Sequence, residues 1–164
     1  PGDAGPEQGA DVVMAGNAMN PSLLCDAIDS DYEQRAAARF RGQGFLRFAG
    51  AELVRLLPGF CTVQLPCRED LTGEPRRFHP GVIGALAVSA GECAALSLLP
   101  PDSSLAAIDY SAHLLAPAEG DVLVAQAKVV KSAKAMTLCT AEIYVRKDQS
   151  QNLCAMALVT YASG

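Results

Sequence analysis

The segment from Pro80 to Leu99 constrains the fold of this chain more than any other. It reads PGVIGALAVSAGECAALSLL, and Glu92 is its one charged residue. Twenty such residues are long enough to cross a bilayer, but the glycines, the serines and the acid favour a helix buried inside a protein. Pro80 suits the first turn of that helix, and we expect Pro100-Pro101 to end it.

Long apolar runs on both sides of this helix predict strands. Upstream, AELVRLL and FCTVQLP flank Pro58-Gly59, a pattern typical of a hairpin. Downstream lie SLAAIDYSAHLLAP, DVLVAQAKVV, AMTLCTAEIYV and LCAMALVTY, separated by Gly120-Asp121, KSAK and KDQSQN. Long runs joined by short polar turns favour an antiparallel meander. The predicted fold class is therefore α+β, with a small-residue helix in the concave face of a curved antiparallel sheet.

A further helix is predicted near the start of the chain. The run DSDYEQRAAARFRG has Ser30 or Asp31 as its cap, acids early, arginines late and Gly42 as its stop. Its apolar face is expected to contain Tyr32, Ala36 and Phe40. Residues 1–28 are interpreted as a weakly structured extension, and residues 29–164 as a single domain.

Composition excludes several classes of protein. Half of the residues are apolar and 19% are charged, which rules out disorder throughout. The net charge of -5 argues against a nucleic-acid partner, which requires a clustered basic face. None of the six cysteines forms a C-x-x-C pair, so no metal site is predicted. No basic and apolar leader is visible, and we expect a cytoplasmic protein with reduced thiols and no membrane partner.

Three blocks of sequence resemble a known family. They are GAELVRLLPGFCTVQLP, HPGVIGALAVSAG and IDYSAHLLAPAEGDVLVAQAKVVKSAKAMTLCTAEIYV, between about Phe45 and Tyr161. In this order they resemble the hotdog-fold acyl-CoA thioesterases of the phenylacetate-degradation type. The resemblance implies a hotdog fold and a homodimer or homotetramer. It also implies acyl-CoA sites between subunits, with the coenzyme A thioester as substrate and no further cofactor.

The chain departs from this family at three functional positions. The family carries a carboxylate nine residues after its histidine, a glycine directly after it, and often an asparagine six residues before it. Counted from His79, these positions hold Val88, Pro80 and Gly73. Valine can neither activate water nor attack a thioester, and proline has no N–H to donate to the thioester oxygen.

Other polar groups are candidates to replace the missing ones. Glu92 lies one helical turn beyond Val88, so it is a candidate base, and Ser89 is a second catalytic candidate. The alternatives are a Glu92 paired with a cation and a Ser89 bonded to a helix carbonyl. The resemblance implies a mostly structural role for His79, and orientation of the ligand is its functional alternative. Gly81 offers an N–H at the helix N-terminus, where an oxyanion is favoured.

Basic side chains are candidates for the phosphates of coenzyme A. Arg76 and Arg77 precede the helix, and Lys131 and Lys134 flank the KSAK turn, where the family often has basic residues. The alternative is that all four are solvated surface charges. A further alternative is that an acid of the neighbouring subunit replaces the missing carboxylate, and its candidates are Glu69, Asp70 and Glu74.

Three functions follow from these observations. The first is an acyl-CoA thioesterase with a rearranged site, and the second is a binder of acyl-CoA or acyl-carrier thioesters without chemistry. The third is a hydratase or dehydratase, which HPGVIGALAV faintly resembles, but its expected acid and histidine fall on Leu86 and Thr72. A purely structural oligomerisation module remains as the residual alternative.

Overall fold

A six-stranded antiparallel sheet wraps one long helix in the computed structural model, which describes residues 29–164. A 3-10 turn at Glu69–Leu71 and a small two-stranded sheet lie between the second strand of the large sheet and the long helix. In chain order the elements are α1 (Tyr32–Gly42), α2 (Gly44–Ala49), β1 (Glu52–Leu57), β2 (Phe60–Pro66), β3 (Thr72–Glu74), β4 (Arg77–Phe78), α3 (Pro80–Leu96), β5 (Leu105–Leu114), β6 (Val122–Ala133), β7 (Met136–Lys147) and β8 (Ser150–Ser163). The predicted extension over residues 1–28 lies outside the described residues.

The large sheet has the strand order β1-β2-β6-β7-β8-β5. The Pro58-Gly59 hairpin and the meander of β6, β7 and β8 are formed as predicted, and the α+β fold class is confirmed. Gly59 has φ +75°, a left-handed conformation that glycine adopts at no steric cost. Strand β5 pairs with β8, so the strand that follows α3 becomes an edge of the sheet.

Helix α3 fills the concave face because its small residues allow close approach to the sheet. Twelve of its 17 residues are buried, and it packs mainly on β6, β2 and β7. Leu86 meets a core that includes Leu123 and Ile143. Each such side chain contributes about 1.5–3 kcal/mol on burial. At Gly91 the packing is closest, because a Cβ there would lie 2.5 Å from the Tyr161 hydroxyl oxygen.

Long-range contacts shorten α3 at its C-terminus. The helix ends at Leu96 and not at Pro100-Pro101 as predicted. Ser97 donates to the Ala94 carbonyl and accepts from the Gly59 amide. The Arg35 guanidinium donates to the carbonyls of Leu96 and Leu99, which satisfies the buried end of the helix.

Two further local predictions were wrong in detail, and one element was missed. The side chain of Asp31 makes no capping hydrogen bond at α1; instead its backbone amide donates to the Asp29 carboxylate. Strand β6 extends to Ala133, so Lys131 lies in a strand and only Lys134 lies at the turn. The six-residue helix α2 was not predicted.

Four of the five cysteines among the described residues are buried, and all five are free thiols. Burial raises the pKa of Cys139 to about 12 and that of Cys154 to about 11, which keeps both thiols protonated. Residues 29–164 contain no cluster of three metal-ligating side chains. No helix in this part of the chain has the length and apolar character needed to cross a bilayer.

Candidate functional site

One face of α3 is not covered by the sheet. Its members are Gly81, Ala85, Val88 and Glu92, which are exposed or half-buried and stand three or four residues apart. Residues at this spacing share one face of a helix, and we call these four the open helix face. Val88 therefore lies on the accessible side of the helix, at the position where the resemblance implies a carboxylate.

The amides at the start of α3 are already engaged. Pro80 has no N–H, and the Gly81 amide donates to His79 Nδ1 at 3.0 Å. The next amide, that of Val82, donates to the His79 carbonyl at 2.9 Å. The Gly81 N–H, which was predicted to face a ligand oxygen, instead closes the cap of its own helix.

The Glu92 carboxylate holds α1 against α3. One oxygen accepts from Arg39 Nε at 2.9 Å, and the other accepts from Gln43 Nε2 at 2.7 Å. The side chain of Glu92 is only 13% exposed, whereas that of Arg39 is 57% exposed. One carboxylate oxygen is thus paired with a cation of α1, as in the alternative interpretation of this residue, and the other is bonded to Gln43 just after α1.

Ser89 lies beneath the open helix face. It is 5% exposed, and its hydroxyl donates to the Ala85 carbonyl at 2.8 Å. The Gln43 side-chain oxygen is 3.3 Å from the same hydroxyl. Gln43, which sequence analysis missed, therefore contacts both catalytic candidates. The available signal was a polar residue between Gly42 and Gly44, at the break between α1 and α2.

The four candidate cations fall into two separate groups. Arg76 forms an ion pair with Asp121, and Arg77 forms one with Glu74 at 2.7 Å. Lys131 and Lys134 are exposed at the other end of β6. Ten residues of extended strand separate Asp121 from Lys131, which is about 33 Å. Within one chain the two groups cannot meet the same phosphate.

A depression of about 600 Å³ lies beside the start of α3. Its lining includes Cys67, Arg68, Glu69, Gly73, Glu74 and Arg76. A Cβ at Gly73 would lie 3.5 Å from His79 Cδ2, so a longer side chain at this position would reach the imidazole ring. The candidate acid Asp70 pairs with Arg68, and this hydrogen bond lowers the pKa of the Asp70 carboxyl.

Comparison with known proteins agrees with the fold. The sequence profile of the thioesterase superfamily matches residues 77–151. A thioesterase family protein from Silicibacter pomeroyi superposes with a TM-score of 0.79 at 28% identity, over 80% of this chain and 97% of that one. The chain has the hotdog fold, and residues 77–151 are similar to the thioesterase superfamily. In this hotdog domain, α3 is the central helix.

More distant structures share the hotdog fold. The PaaI protein of the Escherichia coli phenylacetic acid degradation operon has a TM-score of 0.71 at 22% identity, with 80% of this chain and 92% of that one covered. A thioesterase of Haemophilus influenzae has a TM-score of 0.69 at 18% identity, with 77% and 86% covered. No protein with a curated description matches this hotdog domain in sequence.

Proposed function

We propose that this hotdog domain binds acyl thioesters of coenzyme A at the open helix face and does not hydrolyse them by the carboxylate route. One observation carries the proposal, which is that the open helix face presents no free carboxylate. Val88 is apolar, and the two oxygens of Glu92 are bonded to Arg39 of α1 and to Gln43 just after it. A general base contributes about 10²–10⁴ to the rate of such a reaction.

Apolar side chains beside the open helix face support retained binding of an acyl chain. Tyr110 and Leu114 of β5 pair with the inward-facing Val159 and Ala155, so they lie on the same side of the sheet as α3. They are nevertheless 54% and 53% exposed, although the Tyr110 ring packs against Gly84 of α3. Exposed apolar surface of this kind marks a ligand or protein contact.

We propose that a second copy of the chain covers this edge. Every residue of β5 except Leu105 is exposed, and an uncovered edge strand offers free backbone groups for pairing.

We expect sedimentation velocity to give twice the mass of one chain. Leu114→Arg should return the mass to that of a single chain, because it places a charge in the contact. Val54→Arg is the matched control, since Val54 is 55% exposed on the opposite edge strand β1.

The proposed function is tested by measuring binding and turnover together. Acetyl-, hexanoyl-, phenylacetyl- and palmitoyl-CoA are titrated by calorimetry, and released coenzyme A is detected by chromatography. We expect saturable binding of at least one ligand, with release no faster than in buffer. Absence of binding to all four, or release well above the buffer rate, would contradict the proposal.

Hydrolysis through Glu92 is the second candidate function. It is favoured by the position of Glu92 on the open helix face, one turn beyond Val88. Turnover that is lost in Glu92→Gln and retained in Arg39→Ala would establish this alternative. The second variant is the control, since it removes the cation that holds the carboxylate and leaves the carboxylate in place.

A further inference from the structure

Tyr110 places a hydroxyl group directly beside α3. Its ring crosses the helix at Gly84, where a Cβ would lie 3.1 Å from Tyr110 Cε2 and 3.4 Å from the hydroxyl oxygen. The phenol therefore fills the space that a side chain at position 84 would need. Only a glycine allows this approach without displacement of the ring.

The hydroxyl lies next to the open helix face. Gly84 is three residues from Gly81 and four from Val88, and residues at these spacings have neighbouring side-chain positions about 5–6 Å apart. Because the Tyr110 hydroxyl stands at the side-chain position of residue 84, it adjoins both. Tyr110 is 54% exposed in the single chain, so a ligand held between the open helix face and the second copy can reach it.

A bound thioester needs a hydrogen-bond donor for its carbonyl oxygen. Taking a carbonyl out of water without a partner costs free energy, and the first amides of α3 are absent or used within the cap. Within residues 29–164 the Tyr110 hydroxyl makes no hydrogen bond, so its proton is available to a ligand. The other donor nearby is Nε2 of His79, whose Nδ1 accepts from the Gly81 amide.

We infer that Tyr110 is a ligand-binding residue whose hydroxyl donates a hydrogen bond to the thioester carbonyl. The inference rests on the proposed function and adds to it the group that recognises the thioester. It requires no bond to form or break. It also explains why the half-exposed side chain of Tyr110 packs against Gly84 of the central helix.

The inference is tested with two ligands that differ only in the carbonyl. Hexanoyl-CoA carries it, and the thioether S-hexyl-CoA replaces it by a methylene group. We expect the unmodified protein to bind hexanoyl-CoA about 5- to 10-fold more tightly, as one neutral hydrogen bond provides. In Tyr110→Phe this preference should disappear, because the variant keeps the ring on Gly84 and loses only the hydroxyl.

Tyr144→Phe is the matched control. Tyr144 lies on the outer face of β7, and its hydroxyl donates to Glu142 at 2.6 Å, so the preference should be retained. The infrared carbonyl band of bound hexanoyl-CoA should shift to higher frequency in Tyr110→Phe alone. An unchanged preference in Tyr110→Phe, or equal affinities in the unmodified protein, would overturn the inference. If the unmodified protein bound neither ligand, the proposed function itself would be overturned.

Discussion

Joint replacement of Val88 by Asp and Pro80 by Gly is expected to create acyl-CoA hydrolysis at least about 10²-fold above the unmodified protein. Asp at position 88 supplies a carboxylate on the open helix face, and Gly at position 80 restores an N–H at the helix start. A general base contributes about 10²–10⁴ and one oxyanion donor about 10²–10³. We expect a gain near the lower limit of about 10²-fold because Gly73, the third departure from the family, remains unchanged.

The measurement is the release of coenzyme A. It is detected by chromatography because thiol-reactive dyes would also label the cysteines of the protein. Val88→Asn with Pro80→Gly is the closest control, since it keeps the size and polarity of the new group and cannot act as a base. Ala85→Asp with Pro80→Gly places the carboxylate one turn too early and should be equally inactive. If the aspartate variant still binds ligand and shows no gain, the missing carboxylate and amide do not explain the lack of turnover.

Gly91→Ala is expected to lower the free energy of unfolding by about 3 kcal/mol. The new Cβ would stand 2.5 Å from the hydroxyl oxygen of Tyr161, which is 1% exposed. That hydroxyl donates to the Val88 carbonyl, so the ring cannot withdraw without breaking a partly buried hydrogen bond. Overpacking of this kind typically costs about 1–3 kcal/mol, and a lost buried hydrogen bond adds to it.

Urea denaturation followed by circular dichroism measures this change. Gly42→Ala is the control, because a Cβ there meets no atom within 4 Å and alanine favours the helix. Tyr161→Phe combined with Gly91→Ala should cost less than the sum of the two single changes, since the phenylalanine removes the oxygen that clashes. Strict additivity of the two changes would show that the Tyr161 hydroxyl is not the obstacle.

Much of the fold could be predicted from local sequence because its main signals are local. The small-residue run of α3 and the Pro58-Gly59 turn each specify their element within a few residues. Helix α2 escaped prediction because six residues are too few to show a helical period. The end of α3 escaped because Arg35, more than 60 residues away along the chain, supplies its last hydrogen bonds.

The candidate site shows the same division. The spacing from His79 predicts where Pro80 and Val88 stand, because a helix converts sequence distance into position. The partners of Glu92 could not be predicted, since Arg39 and Gln43 are 53 and 49 residues away along the chain. The use of the Gly81 amide by the His79 ring depends on one side-chain rotamer, which the sequence does not determine.

Two sets of polar contacts join α1 to α3, and they determine how short a fragment of this chain can be and still fold. Arg35 donates to the carbonyl of Leu96 at the end of α3 and to that of Leu99 just after it. Glu92 accepts from Arg39 and from Gln43 just beyond α1. The side chains of Arg35, Arg39 and Gln43 all lie well before residue 77, where the superfamily profile starts to match. A fragment excised at the profile boundary would therefore expose a buried helix end and a carboxylate without its partners. The smallest autonomously folding fragment is set by these polar contacts and must retain α1.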